Sequence, residues 1–254
     1  MYPVLLSIGK VKLYSFGSFI AIGAILGGML MFRLAKARKI KTAFVFDAVL
    51  YSVVLGLLGA RVGYYFAYQE QFQSFWQIIY FWQGGLLAIS GLIVGFLTFL
   101  YIIRRQDVPV WSVLDISGLS LLLGWAVGEF GCNLASCSIG RATESFLAVN
   151  GAFPIDLILS IWTFVIFTAL LYTWIRNSLS DGVIFFLALE GLFLGELVIN
   201  TLQSTFGETL ARTEAMVYLA LIVLVYLVFW RLHGPKIQKG RFGLFLKNLV
   251  FRKR

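Results

Sequence analysis

The chain has 254 residues, 60% of them hydrophobic and 13% charged, with a mean hydropathy of +0.88 and a formal net charge of +9. So little polar surface cannot cover a soluble globule of this length, which excludes a water-soluble domain. The surplus of positive charge therefore reads as membrane topology and attraction to anionic lipid, and not as a nucleic-acid interface.

Seven continuously apolar runs follow one another at residues 16–34, 44–65, 81–103, 113–133, 155–175, 183–201 and 217–230. A hydrocarbon core about 30 Å thick needs about 20 helical residues, and these runs approach that length. Barrel strands alternate apolar and polar positions, whereas these runs do not, so the expected fold is all-α: a polytopic bundle of seven transmembrane helices. The opening Met1-Tyr2-Pro3-Val4 lacks a charged start, and no small-residue cleavage site follows the first run, so that run reads as a retained span.

Basic residues set the orientation. With the N-terminus outside, the inner segments carry Arg33, Lys36, Arg38, Lys39, Lys41, Arg104, Arg105, Arg176 and the eight Lys and Arg at the C-terminal end. Only Lys10, Lys12, Arg141 and Arg212 fall outside, and Arg61 lies within a span. That asymmetry places the C-terminus in the cytoplasm. The chain thus divides into a membrane domain, 1–234, and a basic tail, 235–254, that mixes Phe242, Leu244, Phe245 and Phe251 with Lys and Arg. The tail is read either as an amphipathic helix on an anionic inner leaflet or as a disordered basic anchor.

Cys132 and Cys137 are the only cysteines and His233 the only histidine, placed on opposite sides of the membrane. Two thiols without further ligands do not make a zinc site, and no outward-facing Ser-His-Asp or Cys-His system can be assembled; no metal or cofactor is expected. For the cysteines, an outward disulfide and simple packing by small residues remain alternatives.

Tracing each span by its direction gathers Arg61, Glu129, Asn133, Arg141, Glu196 and Asn200 in the outer leaflet. Gly84, Gly85 and Gly91 open the third span from the same side, where they let helices or lipid approach the backbone. Arginine offers a fork of donors that matches phosphate, so one reading is a site for an anionic lipid head group. The other reading is structural: Arg61 pairs with Glu129 or Glu196 to hold helices together.

Four blocks follow one another in order: Tyr2-Pro3-Val4 with Tyr14-Ser15-Phe16-Gly17, Gly59-Ala60-Arg61-Val62-Gly63-Tyr64, Trp82-Gln83-Gly84-Gly85 with Ser90-Gly91-Leu92, and Gly128-Glu129-Phe130-Gly131-Cys132-Asn133 through Gly140-Arg141. In these blocks the chain resembles the bacterial prolipoprotein diacylglyceryl transferases. The resemblance implies transfer of diacylglyceryl from phosphatidylglycerol to the lipobox cysteine of lipoprotein precursors, directed there by their signal peptides, at the bacterial inner membrane. It also implies that the lipid phosphate must be held, for which Arg61, Arg141, Gly140, Asn133, Gly84 and Gly85 are the candidates; Glu129 or Glu196 as base is a reading of this chain's own residues, since a buried carboxyl can accept a proton. Several positions depart from the family pattern: Glu129 stands where the family has Arg, Cys132 where it has Asn, Ile89 where it has His, Phe16 where it has Tyr and Leu194 where it has Arg. A catalytically degenerate relative that binds or moves anionic phospholipid is the alternative. An unrelated solute transporter would show inverted repeats, and the chain has no clear internal repeat.

Overall fold

The computed structural model describes residues 4–8, 11–72, 74–79, 85, 87–138, 140–144, 148, 151–176, 179–202 and 208–237. A β-hairpin, β1 (Val4–Ile8) and β2 (Val11–Tyr14), leads into α1 (Ser15–Ala37) and α2 (Thr42–Ala67). Two short 3-10 turns, Gln69–Gln71 and Phe75–Ile79, precede α3 (Ala88–Arg104), α4 (Val110–Ala135), α5 (Ile155–Ile175), α6 (Val183–Leu202) and α7 (Glu208–Ile237). The architecture is that of an all-α polytopic membrane protein, with α1, α2, α4, α5 and α6 each long and apolar enough to cross a bilayer. Shorter apolar stretches come from α3 and from Met216–Arg231 of α7.

Two boundaries differ from the sequence expectation. The third helix begins at Ala88 and not at 81, because Gly85 takes φ +78° and Leu87 is extended, neither of which continues a helix. The seventh begins at Glu208 and not at 217, because Glu, Ala, Leu and Arg favour a helical backbone even where charges lower the hydropathy. Gly84 and the tail beyond Ile237 lie outside the described residues. The β-hairpin had no counterpart among the expected elements.

The chain forms two compact units, Met31–Val113 and Met1–Leu30 with Leu114–Arg254. In the first, α2 and α3 pack through small residues four apart. A methyl group on Gly56 would lie 3.1 Å from the carbonyl oxygen of Gly91, and one on Gly95 would lie 3.1 Å from that of Ser52. Only small residues allow backbones so close, and in lipid that close packing is what holds helices together. The Leu87 N–H donates to the carbonyl of Ala60 at 3.0 Å, tying the start of α3 to α2.

In the second unit, α1 meets α4 in the same way: Gly23 faces Gly124, and Gly27 faces the carbonyl of Ser120. Helix α6 starts on a buried carboxylate of α4, since Asp115 accepts the N–H groups of Gly182 at 2.7 Å and Phe185 at 2.8 Å. Those N–H groups have no partner within the helix, and the negative charge suits the positive end of the helix dipole. Helix α5 is fastened on both sides: Ser160 Oγ donates to the carbonyl of Ala126 at 2.7 Å, and Trp162 Nε1 to that of Gly191 at 2.9 Å.

Candidate functional site

Three carboxyl groups come together in the second unit where α4 and α6 end and α5 begins. Glu129 and Glu196 are half-buried, Asp156 is buried at 6% exposure, and the charge of Asp156 acts on both glutamates while that of Glu196 acts on Glu129. The two glutamates expected from the sequence are thus gathered, and Asp156 is an addition the sequence reading missed. Its signal was present: an acidic residue in the first turn after Pro154 is favoured by the helix dipole. Ser138 N–H donates to Asp156 Oδ2 at 3.3 Å, linking the group to the segment after α4. Beneath it Ile155, Leu159 and Ile199 form an apolar cluster. Carboxyls held in such a partly dry setting are the usual raw material of a proton acceptor.

The segment after α4 turns back on itself beside this group. Phe153 N–H donates to the Arg141 carbonyl at 3.1 Å, Thr143 N–H to the Gly151 carbonyl at 2.9 Å, and Ala142 pairs with Ala152. Gly140 is buried against the backbone of Phe153, where a methyl group would collide with the carbonyl, so the close approach that glycine permits here is to the chain itself. The fold leaves the Arg141 side chain exposed. Asn133 is half-buried, one turn beyond Glu129, and Asn200 is buried one turn beyond Glu196.

Cys132 and Cys137 are free thiols, half-buried and exposed respectively. Although Cys137 is exposed, partial desolvation by the groups around it pushes its thiol above the ordinary range, and the charges of Asp156 and Glu129 add to this. Among the described residues no three His, Cys, Asp or Glu side chains are arranged to hold a metal ion.

Arg61 belongs to the other unit and is 2% exposed. Its Nε donates to the Ile78 carbonyl at 3.1 Å, Nη1 to Gly85 at 2.9 Å and Nη2 to Gln77 at 2.8 Å. Its guanidinium also lies 5.2 Å from the centre of the Phe72 ring. The fork of donors therefore gathers the connection between α2 and α3 around one buried cation. Gly85 completes the arrangement, since its positive φ and the Tyr64 ring against its α-carbon leave no room for a side chain.

A model of the prolipoprotein diacylglyceryl transferase family matches residues 3–232. The chain belongs to that family. Among its relatives, the phosphatidylglycerol–prolipoprotein diacylglyceryl transferase of Halalkalibacterium halodurans is 28% identical over 94% of this chain and 89% of its own length. The transferase of the same name from a Nostoc species is 29% identical over 80% of this chain and 78% of its own, and transferase 1 of Clostridium perfringens 27% over 95% and 99%. Similarity thus spans the chain rather than a single motif. Two positions that differ from the family pattern, Phe16 and Leu194, are exposed on their helices at 42% and 43%.

Proposed function

We propose that this multi-pass membrane protein transfers diacylglyceryl from phosphatidylglycerol to the lipobox cysteine of lipoprotein precursors in the bacterial cytoplasmic membrane. The observation that carries the proposal is the family match over residues 3–232, joined by relatives of that named activity along nearly the whole chain. The distribution of Lys and Arg supports an N-terminus outside and a C-terminus in the cytoplasm. Phosphatidylglycerol and the signal peptides of the precursors are the partners, and nucleic acid is not.

The reaction forms a carbon–sulfur bond between the precursor's cysteine and the diacylglyceryl group as the carbon–oxygen bond to phosphate breaks. Glycerol phosphate leaves with the electron pair. The thiol must lose its proton, because thiolate is the nucleophile, and the leaving phosphate must be held as its charge grows. Glu129, Glu196 and Asp156 are the candidate proton acceptors. Arg141 is the candidate phosphate ligand, exposed on a segment that Gly140 fits against Phe153, with Asn133 as a further donor. Arg61 and Gly85, in the other unit, shape the connection between α2 and α3.

The test is whether the gene restores attachment of radiolabelled diacylglyceryl to a lipobox peptide in membranes depleted of their own transferase. Label well above background is expected, and its loss in Arg141→Ala. Lipid binding without label would replace the proposal with the non-transferring reading.

A further inference from the structure

The end of α4 brings two thiols together for a reason that lies in the backbone. The helix stops at Ala135, Ser136 turns into the left-handed region at φ +60°, and Cys137 N–H donates to the Cys132 carbonyl at 3.1 Å. This six-residue closure is a Schellman motif, which sets the side chains of its first and last residues against each other. Here both are cysteine, so the closure leaves one thiol beside the other. The end of α1 closes in the same way, with Lys39 at φ +59° and the N–H of Ile40 on the carbonyl of Ala35 at 2.9 Å. There the paired side chains are apolar, so the motif itself does not require sulfur.

We infer that Cys132 and Cys137 form a redox-active dithiol that closes to an intramolecular disulfide across the end of α4. The exposed Cys137 thiolate attacks one sulfur of a small-molecule or protein disulfide, forming a mixed disulfide and expelling one thiolate. Cys132 then attacks the Cys137 sulfur and expels the second. Two electrons pass to the oxidant, and the two thiol protons leave with the products. The closed form ties Cys132 across Ser136 to the residue preceding Ser138, whose N–H is bonded to Asp156, and so braces the segment that continues to Gly140 and Arg141. On the outward orientation proposed above, the pair faces the compartment in which disulfides form and persist.

The experiment exposes the reduced, full-length protein in detergent to glutathione disulfide and reads its intact mass after denaturation. The expected product has lost two hydrogens, carries no glutathione, and resists maleimide until reduced, while Cys132→Ser and Cys137→Ser never show that loss. Wild-type protein that keeps both thiols, that accumulates glutathione adducts, or that cross-links between copies would overturn the inference. Because transfer activity is not read, such a failure leaves the proposed function untouched.

Discussion

Nη1 of Arg61 donates to the carbonyl of Gly85 at 2.9 Å, and Gly85 can present that carbonyl only because φ +78° is open to a residue without a side chain. Arg61→Lys keeps the charge but replaces a rigid fork with a single ammonium that cannot serve Gln77, Ile78 and Gly85 together. The expected loss is about 1 kcal/mol for each of these half-buried carbonyls left without a partner, seen as a lower thermal midpoint in detergent. An unchanged midpoint would show that the three bonds do not order this connection.

Gly85→Ala attacks the same arrangement from the other side. The new methyl group would lie 2.5 Å from an atom of the Tyr64 ring on a backbone that disfavours it, so a loss of more than about 1 kcal/mol is expected. Gly28→Ala is the matched control, since nothing lies within 4 Å of its new methyl group in the interior of α1. There the helix should gain about 0.5–1 kcal/mol. Equal melting behaviour for the two variants would count against the strain at Gly85.

Asp115→Asn tests the start of α6. The amide keeps one acceptor oxygen and turns an N–H₂ group toward a backbone N–H, so either Gly182 or Phe185 loses its partner. The cost should be about 1–3 kcal/mol, accompanied by faster amide exchange in the first turn of α6. Exchange unchanged at residues 182–185 would rule out the capping role.

Glu129→Gln separates catalysis from support. If Glu129 accepts the proton of the attacking thiol, kcat should fall about 100-fold or more with little change in KM, the range expected for a lost general base. Should kcat hold, Asp156→Asn and Glu196→Gln become the decisive substitutions.

Cys137 carries a pH signature. A thiol raised by partial desolvation stays protonated to higher pH than a free cysteine, whose ordinary value is about 8.5. Alkylation by iodoacetamide at that pH should therefore be slower at Cys137 in folded Cys132→Ala than in the same chain unfolded in denaturant, and the gap should narrow as pH rises. Equal rates would show that desolvation does not suppress the thiolate.

Much of the fold was legible because continuous apolar runs can only be helices in lipid, and tracing the spans pointed to Glu129 and Glu196 as neighbours, whose carboxyls act on one another in the structure. What the sequence hid depended on backbone conformation and on distant neighbours. Phe81 to Leu87 counts as apolar in any hydropathy window, but the positive φ of Gly85 interrupts the helix there. Asp156 looked like the edge of a span, and the packing that brings it near Glu129, to which the bond from Ser160 to the Ala126 carbonyl contributes, joins residues far apart in sequence. Arg61 was recognised as a buried cation, yet its carbonyl partners lie 16 to 24 residues away in a stretch with no periodic signal.

The glycine seam between α2 and α3 joins neighbours in sequence, and it bears on how the polypeptide enters the bilayer. Helices that recognise each other through adjacent stretches can pair as a hairpin soon after the second leaves the ribosome, before later spans are synthesised. A bulky residue at Gly56 or Gly91 would then act during biogenesis, holding the two helices apart in lipid before later spans can compensate and sending the nascent protein to quality control.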